Sequence, residues 1–268
     1  MPSKEEILKE MDLYRSYYEK VRRETGTPSI YEVFWSGALS GVKMVETGSP
    51  NEMVGDWMQA PLCTRQFSKE NAYKDMVGEM HACVSCGLHQ SREHAVPSSG
   101  PLRAELMIVG EAPGAEEDKT GVPFVGRAGE LLDELLLTYM GKHRDKVFVA
   151  NCVKCRPPGN REPAAEEKEA CRHFLHRQIC LVSPKMILCV GKHAASWFVG
   201  TPPDKLTIKE LHGKILWYEH VPLMIMPHPA AYLRDKDKWH QPTVETLGWS
   251  NWILEQPYDA DLWSKETK

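Results

Sequence analysis

No stretch of the 268-residue chain approaches the roughly 20 consecutive apolar residues that a membrane-spanning helix needs. The N-terminal MPSKEEILKEMDLYR is charged where a secretory leader would be apolar, so a soluble intracellular protein of the cytoplasm, of prokaryotic or viral type and without membrane association, is expected. Charge of one sign is also scarce. Lys and Arg total 33 against 37 Asp and Glu, a formal net charge of −4, which argues against bulk electrostatic attraction of a polyanion. The average conceals an asymmetry: residues 1–80 carry 10 basic and 13 acidic groups and residues 241–268 carry 2 and 5, leaving 21 and 19 in the middle. That middle therefore meets a polyanion without global repulsion. Internal repeats and low-complexity segments are absent.

What is present begins with a core: 42% of the residues are hydrophobic, enough for one large domain or a domain with an appendage. Eight cysteines in an intracellular chain point to metal ligation or buried thiols rather than to disulfides. Cys63, Cys152, Cys180 and Cys189 sit in or beside apolar stretches and read as core residues. Cys83, Cys86, Cys155 and Cys171 sit among polar residues, Gly and Pro, and the first two form a C-x2-C unit. Spacing alone leaves tetrahedral zinc and an iron–sulfur cluster both open.

Residues 1–75 read as a separate, mainly helical extension, with a Ser cap and acidic first turn in SKEEILKEMDLYRSYYEKVRRET. No chemistry is legible in it, and it is a candidate site for a protein partner. From about residue 80 the pattern changes. Four apolar runs, LMIVG (106–110), VFVANC (147–152), KMILCVG (185–191) and LMIMPH (223–228), alternate with helical patterns over 128–140, 164–182 and 193–199. This alternation predicts an α/β domain over residues 76–255, three layers with a central four-stranded parallel sheet covered by helices on both faces. Residues 256–268 read as an acidic tail.

Ligands of such sheets bind at the carboxyl ends of the strands. There the sequence places Gly110-Glu111, Asn151, Gly191-Lys192-His193 and His228-Pro229. An Asn offers one acceptor and two donors to an amide-like edge, a His can donate to an oxygen that gains charge as a bond breaks, and Phe124 offers a stacking face. Each has a plainer reading: a turn Asn, a structural His before Pro, a core Phe. Their joint position on one edge favours a pocket for a planar heterocycle with a leaving-group oxygen.

The segments GEAPGAEEDKTGVPFVGRAGELLD, NCVKCRPPGNREPAAEEKEAC and HPAAYLR resemble, in order and spacing, three signature segments of the family 4, iron–sulfur uracil-DNA glycosylases. The resemblance covers roughly residues 80–240. It implies a monomeric base-excision-repair enzyme that flips uracil out of single- or double-stranded DNA and hydrolyses its N-glycosidic bond. By position, Asn151 reads the base edge, Phe124 stacks on the ring, and His228 stabilises charge on uracil O2. Glu111 lines the site and holds the base or the water, Glu117 occupies the space of a thymine methyl, and Gly110 and Ala112 complete the wall. Cys83, Cys86, Cys155 and Cys171 match the ligands of a [4Fe–4S] cluster. Arg156, Asn160, Arg161, Ser98 and Ser99 are candidate phosphate contacts, with surface ion pairing the plainer reading for the two arginines. Tyr232, Leu233 and Arg234 resemble an intercalation loop that fills the gap left by the flipped nucleotide.

One position departs from the best-known branch of the superfamily, which has a water-directing Asp where Ala112 stands. Family 4 shares that departure, so leaving-group stabilisation is expected to carry most of the rate, with Glu111, Glu117 and Asp118 as open candidates for assisting the water. Two alternatives remain. A branch that traps its product covalently carries a basic, His-containing insertion after the second strand, where this chain has the compact CRPPGNREP. A non-catalytic DNA-binding or replication-complex subunit would have no chemical need for Asn151, Phe124 and His228 together.

Overall fold

The computed structural model of the protein describes residues 69–218 and 221–255. The expectations for the N-terminal extension up to residue 68, including Cys63, and for the tail 256–268 lie outside the described residues.

Four of the apolar runs form strands that are buried along their whole length: β1 (Leu106–Gly110), β2 (Val147–Asn151), β3 (Met186–Val190) and β5 (Val221–Met226). Continuous burial rather than alternation is what a parallel sheet covered on both faces demands. β1 pairs in parallel with β2 and β3, and β3 with β5. A fifth strand, β4 (Leu216–Tyr218), adds an antiparallel edge on β5, giving the order β2-β1-β3-β5-β4. The edge strand lay outside the expected four. With three residues, it has too little pattern to stand out.

The period of two divides each strand between two cores. Leu106 and Ile108 of β1 face the layer made by α3 (Arg127–Met140) and α8 (Lys236–Glu255), packing with Leu132, Leu136 and Leu247. Met107 and Val109 face α4 (Ala165–Val182) and α5 (Lys192–Val199), packing with Leu175, Ile179 and Ala194. Three layers result, as expected. Cys152 and Cys189 are buried in the second core and Cys180 packs against it. A third cluster joins α1 (Lys69–Ala82), through Met76 and Met80, to Cys155, Cys171 and Phe174. The boundary at residue 75 thus falls inside α1.

Three short helices complete the frame: α2 (Ala115–Thr120), α6 (Ile208–Leu211) and α7 (Pro229–Arg234). The chain leaves β1 toward β2 on one side while β3 lies on the other, so the strand order reverses between β1 and β3. A crevice opens at such a switch point.

Candidate active site

A cleft of about 870 Å³ lies at these carboxyl ends, lined by Glu111, Ala112, Glu117, Phe124, Asn151 and His228 from the expected set. Asn160, Arg161 and Arg234 also line it.

Asn151 closes β2 opposite Gly110 of β1. It is 2% exposed, and its Oδ1 is buried without a hydrogen-bond partner among the described residues. A buried amide oxygen normally finds a donor. Gly110 keeps the space open: a Cβ there would sit 2.4 Å from Asn151 Oδ1 and 2.6 Å from Phe124 Cζ. Only the absence of a side chain lets the amide and the aromatic ring share this corner.

Phe124 adopts φ +54°, a conformation that L residues seldom take without support. The support comes from both sides. The Glu117 carboxylate accepts from the N–H groups of Gly114 (3.0 Å), Val125 (3.1 Å) and Gly126 (3.2 Å). The Arg144 guanidinium donates to the carbonyls of Pro123 and Phe124, and is held by Asp133 at 2.9 Å. Gly129 of α3 allows the close approach, since a Cβ there would overlap the Phe124 oxygen at 1.8 Å.

His228 caps α7, and its Nδ1 accepts the Ala230 N–H at 3.1 Å. That bond puts the single proton of a neutral ring on Nε2. Burial pulls the His228 pKa down to about 4, helped by the charge of Arg234, so the ring is neutral at physiological pH. Its centroid lies 6.2 Å from that of Phe124, with 30° between the planes.

The three carboxylates left open by the sequence are separated here. Glu117 is committed to the loop. Asp118 is 5% exposed and accepts from the N–H groups of Glu93 and His94. Of the three, Glu111 is the one with a buried oxygen, Oε1, that makes no hydrogen bond among the described residues. Burial raises its pKa against the pull of His193, whose Nδ1 lies 3.5 Å from Glu111 and 3.2 Å from Glu162. Sequence reading placed His193 at the end of the third strand without giving it a role, and missed Glu162.

The candidate DNA contacts divide. Arg161 forms a two-pronged pair with Glu167 at 2.8 and 2.6 Å, the plainer of its two readings. Arg156 donates to Asn160 at 2.7 Å. Ser98 and Ser99 do not line the cleft: Ser98 meets the Tyr73 hydroxyl, while Ser99 exchanges main-chain bonds with Val149 and accepts from Arg144. The stretch after His228 is helical rather than a loop, because His228 caps it and Pro229 fits the first turn. Tyr232 turns inward, 6% exposed, with its hydroxyl on His240 at 2.8 Å, whereas Leu233 is 47% exposed.

Cys83, Cys86, Cys155 and Cys171 line one small cavity. Arg92 donates to Cys155 Sγ at 3.1 Å and the Lys154 N–H to Cys171 Sγ at 3.3 Å. Burial pushes the Cys171 thiol up to about 11. Among the described residues, Glu111, Glu162 and His193 are a trio of potential ligands whose donor atoms lie within 4.8 Å of one another. Four thiols lining one cavity are a donor set that a tetrahedral zinc or an iron–sulfur cluster takes.

A parallel sheet whose switch point holds an Asn with an unpaired side-chain oxygen, a buttressed Phe and a neutral capping His defines a class, and comparison agrees: the model of the Uracil DNA glycosylase superfamily matches residues 97–250, which contain all the described strands and the cleft. A "Type-4 uracil-DNA glycosylase" of Sulfurisphaera tokodaii is 43% identical over 160 residues, 58% of this chain and 73% of that one. One from Pyrobaculum aerophilum is 46% identical over 158 residues (57% and 80%), and one from Thermotoga maritima 41% over 171 residues (63% and 88%). The chain belongs to the type-4 uracil-DNA glycosylase family.

Proposed function

We infer that the protein is a DNA-repair glycosylase that hydrolyses the N-glycosidic bond of uracil flipped out of DNA, leaving free uracil and an abasic site. The observation that carries this reading is the orphaned Oδ1 of Asn151 beside the bare Gly110, a buried acceptor facing the cleft. Its amide pairs with the N3–H and O4 of uracil and mismatches cytosine, whose donor and acceptor pattern is reversed. Phe124 supplies the stacking face. The Nε2–H of His228 donates to uracil O2 as the C1′–N1 bond breaks and the sugar gains oxocarbenium character, and a neutral donor matched to a developing oxyanion is stronger in the transition state than in the ground state. Glu111, whose buried Oε1 makes no hydrogen bond among the described residues, holds the water that attacks C1′. Glu117 acts through the loop: it fixes Phe124, and its bulk limits the space beside the base.

The four cysteines would hold a [4Fe–4S] cluster, which supplies a covalent clamp between the α1 segment, the loop after β2 and α4. Arg234, which lines the cleft, and the exposed Leu233 before it are the residues that enter the gap left by the flipped nucleotide.

Piperidine-sensitive strand breaks at uracil in a defined oligonucleotide, absent with Asn151→Ala, test the reading. Failure of the wild-type protein to produce them would favour a DNA-binding module on the same fold.

A further inference from the structure

Lys154 sits between two cysteines, yet it is a lysine 1% exposed and so demands a reason. Burying an ammonium is expensive unless its protons are met. Here Nζ donates at 2.6 Å to the main-chain oxygen of Asn151 and at 2.6 Å to Gln178 Oε1. Gln178, wholly buried on α4, is itself tied by its Nε2 to the Pro97 carbonyl at 2.9 Å. The main chain of Lys154 is equally engaged: its N–H donates to Cys171 Sγ at 3.3 Å, and its oxygen accepts from Val96 at 2.7 Å.

One residue therefore touches both sites. A packing role alone would be filled at lower cost by Met or Leu of similar volume. The ammonium does what they cannot: it crosses from the cysteine loop to the last residue of β2 and grips the carbonyl whose side chain faces the cleft.

We propose that Lys154 is a positioning residue that holds the base-reading Asn151 in register with the cysteine site. The inference rests on Asn151 being the base reader. It makes the geometry of the cleft depend on the loop that carries Cys155, through a hydrogen-bonded path rather than through contact of any metal group with the base.

The test compares Lys154→Met, Gln178→Leu and Asn151→Ala with the wild type in the full-length, metal-loaded protein. Three quantities are read: iron content with visible absorption, thermal stability, and the inhibition constant of free uracil. Lys154→Met is expected to keep its iron and its absorption while its uracil inhibition constant rises about tenfold or more. Gln178→Leu, which removes the second anchor of the ammonium, should shift the same constant by a smaller factor. Only a folded, iron-bearing variant with weakened uracil binding supports the assignment. Any other pattern, including loss of fold in both variants, makes Lys154 structural and overturns it. If Asn151→Ala binds uracil as the wild type does, the reading of Asn151 itself fails, a result distinct from failure at Lys154 alone.

Discussion

The N–H of Ala230 donates to Nδ1 of His228 at 3.1 Å, so the helix that His228 caps also dictates which of its ring nitrogens carries the proton. Because burial holds the ring neutral, the donor on Nε2 persists down to a pKa of about 4.

The same burial makes the fold acid-sensitive. A histidine whose folded pKa is depressed contributes stability that is fully present above its unfolded value, 6.5, and is lost as pH falls toward the folded value, about 4. His228 alone accounts for a loss of about 3 kcal/mol over that window. His176, also lowered to about 4 by burial against Trp197 and Tyr218, adds to the slope. Urea unfolding between pH 7 and pH 4 should show the decline, and His228→Gln should flatten it.

Gly110→Ala places a Cβ where Asn151 Oδ1 and the Phe124 ring already are. Uracil release should fall about a hundredfold or more, with a stability loss of about 1–3 kcal/mol from overpacking. A folded Gly110→Ala protein with wild-type activity would show that this corner is not where the base sits.

Arg144→Ala removes the donors to the Pro123 and Phe124 carbonyls. With φ +54° then supported from one side only, Phe124 should leave its stacking position, raising the uracil inhibition constant several-fold and lowering stability by about 2 kcal/mol. Inhibition by free uracil and the melting temperature measure the two effects together.

Glu111→Gln and Glu117→Gln should part company. Glu111 is the carboxylate whose pKa burial raises, so activity that needs it ionised falls on the acid side at a pH above the ordinary carboxylate range. Glu111→Gln should remove that limb and lower kcat about 10- to 100-fold with little change in stability. Glu117→Gln loses the charge in its bonds to the N–H groups of Gly114, Val125 and Gly126, and should lower stability by about 1–2 kcal/mol. Two pH–rate profiles with matched unfolding curves separate the roles.

Metal analysis addresses the cysteines. The purified protein should be brown, with about four iron atoms per chain, and Cys155→Ala should bleach and destabilise it. A colourless protein with stoichiometric zinc would contradict the cluster.

Much of this was legible in the sequence because the parallel strands are continuous apolar runs and because Glu111, Asn151 and His228 each follow one. The residues that were missed act through tertiary contacts. Arg144 stands in RDK, a charged trio with no local mark of a partner 20 residues earlier, and Lys154 reads as a polar residue between cysteines. β4 is three residues long, and α8 was hidden by Pro242 inside its polar first half. Nor does spacing reveal that Tyr232 turns inward to His240 while its neighbour Leu233 stays exposed.

The most direct test is the single-turnover rate of uracil release by His228→Ala beside wild type, at neutral pH on one uracil-containing oligonucleotide. Loss of a donor aimed at a developing oxyanion predicts a rate lower by about 10²- to 10³-fold with the uracil inhibition constant changed only a few-fold. Release at the wild-type rate by His228→Ala would contradict the account.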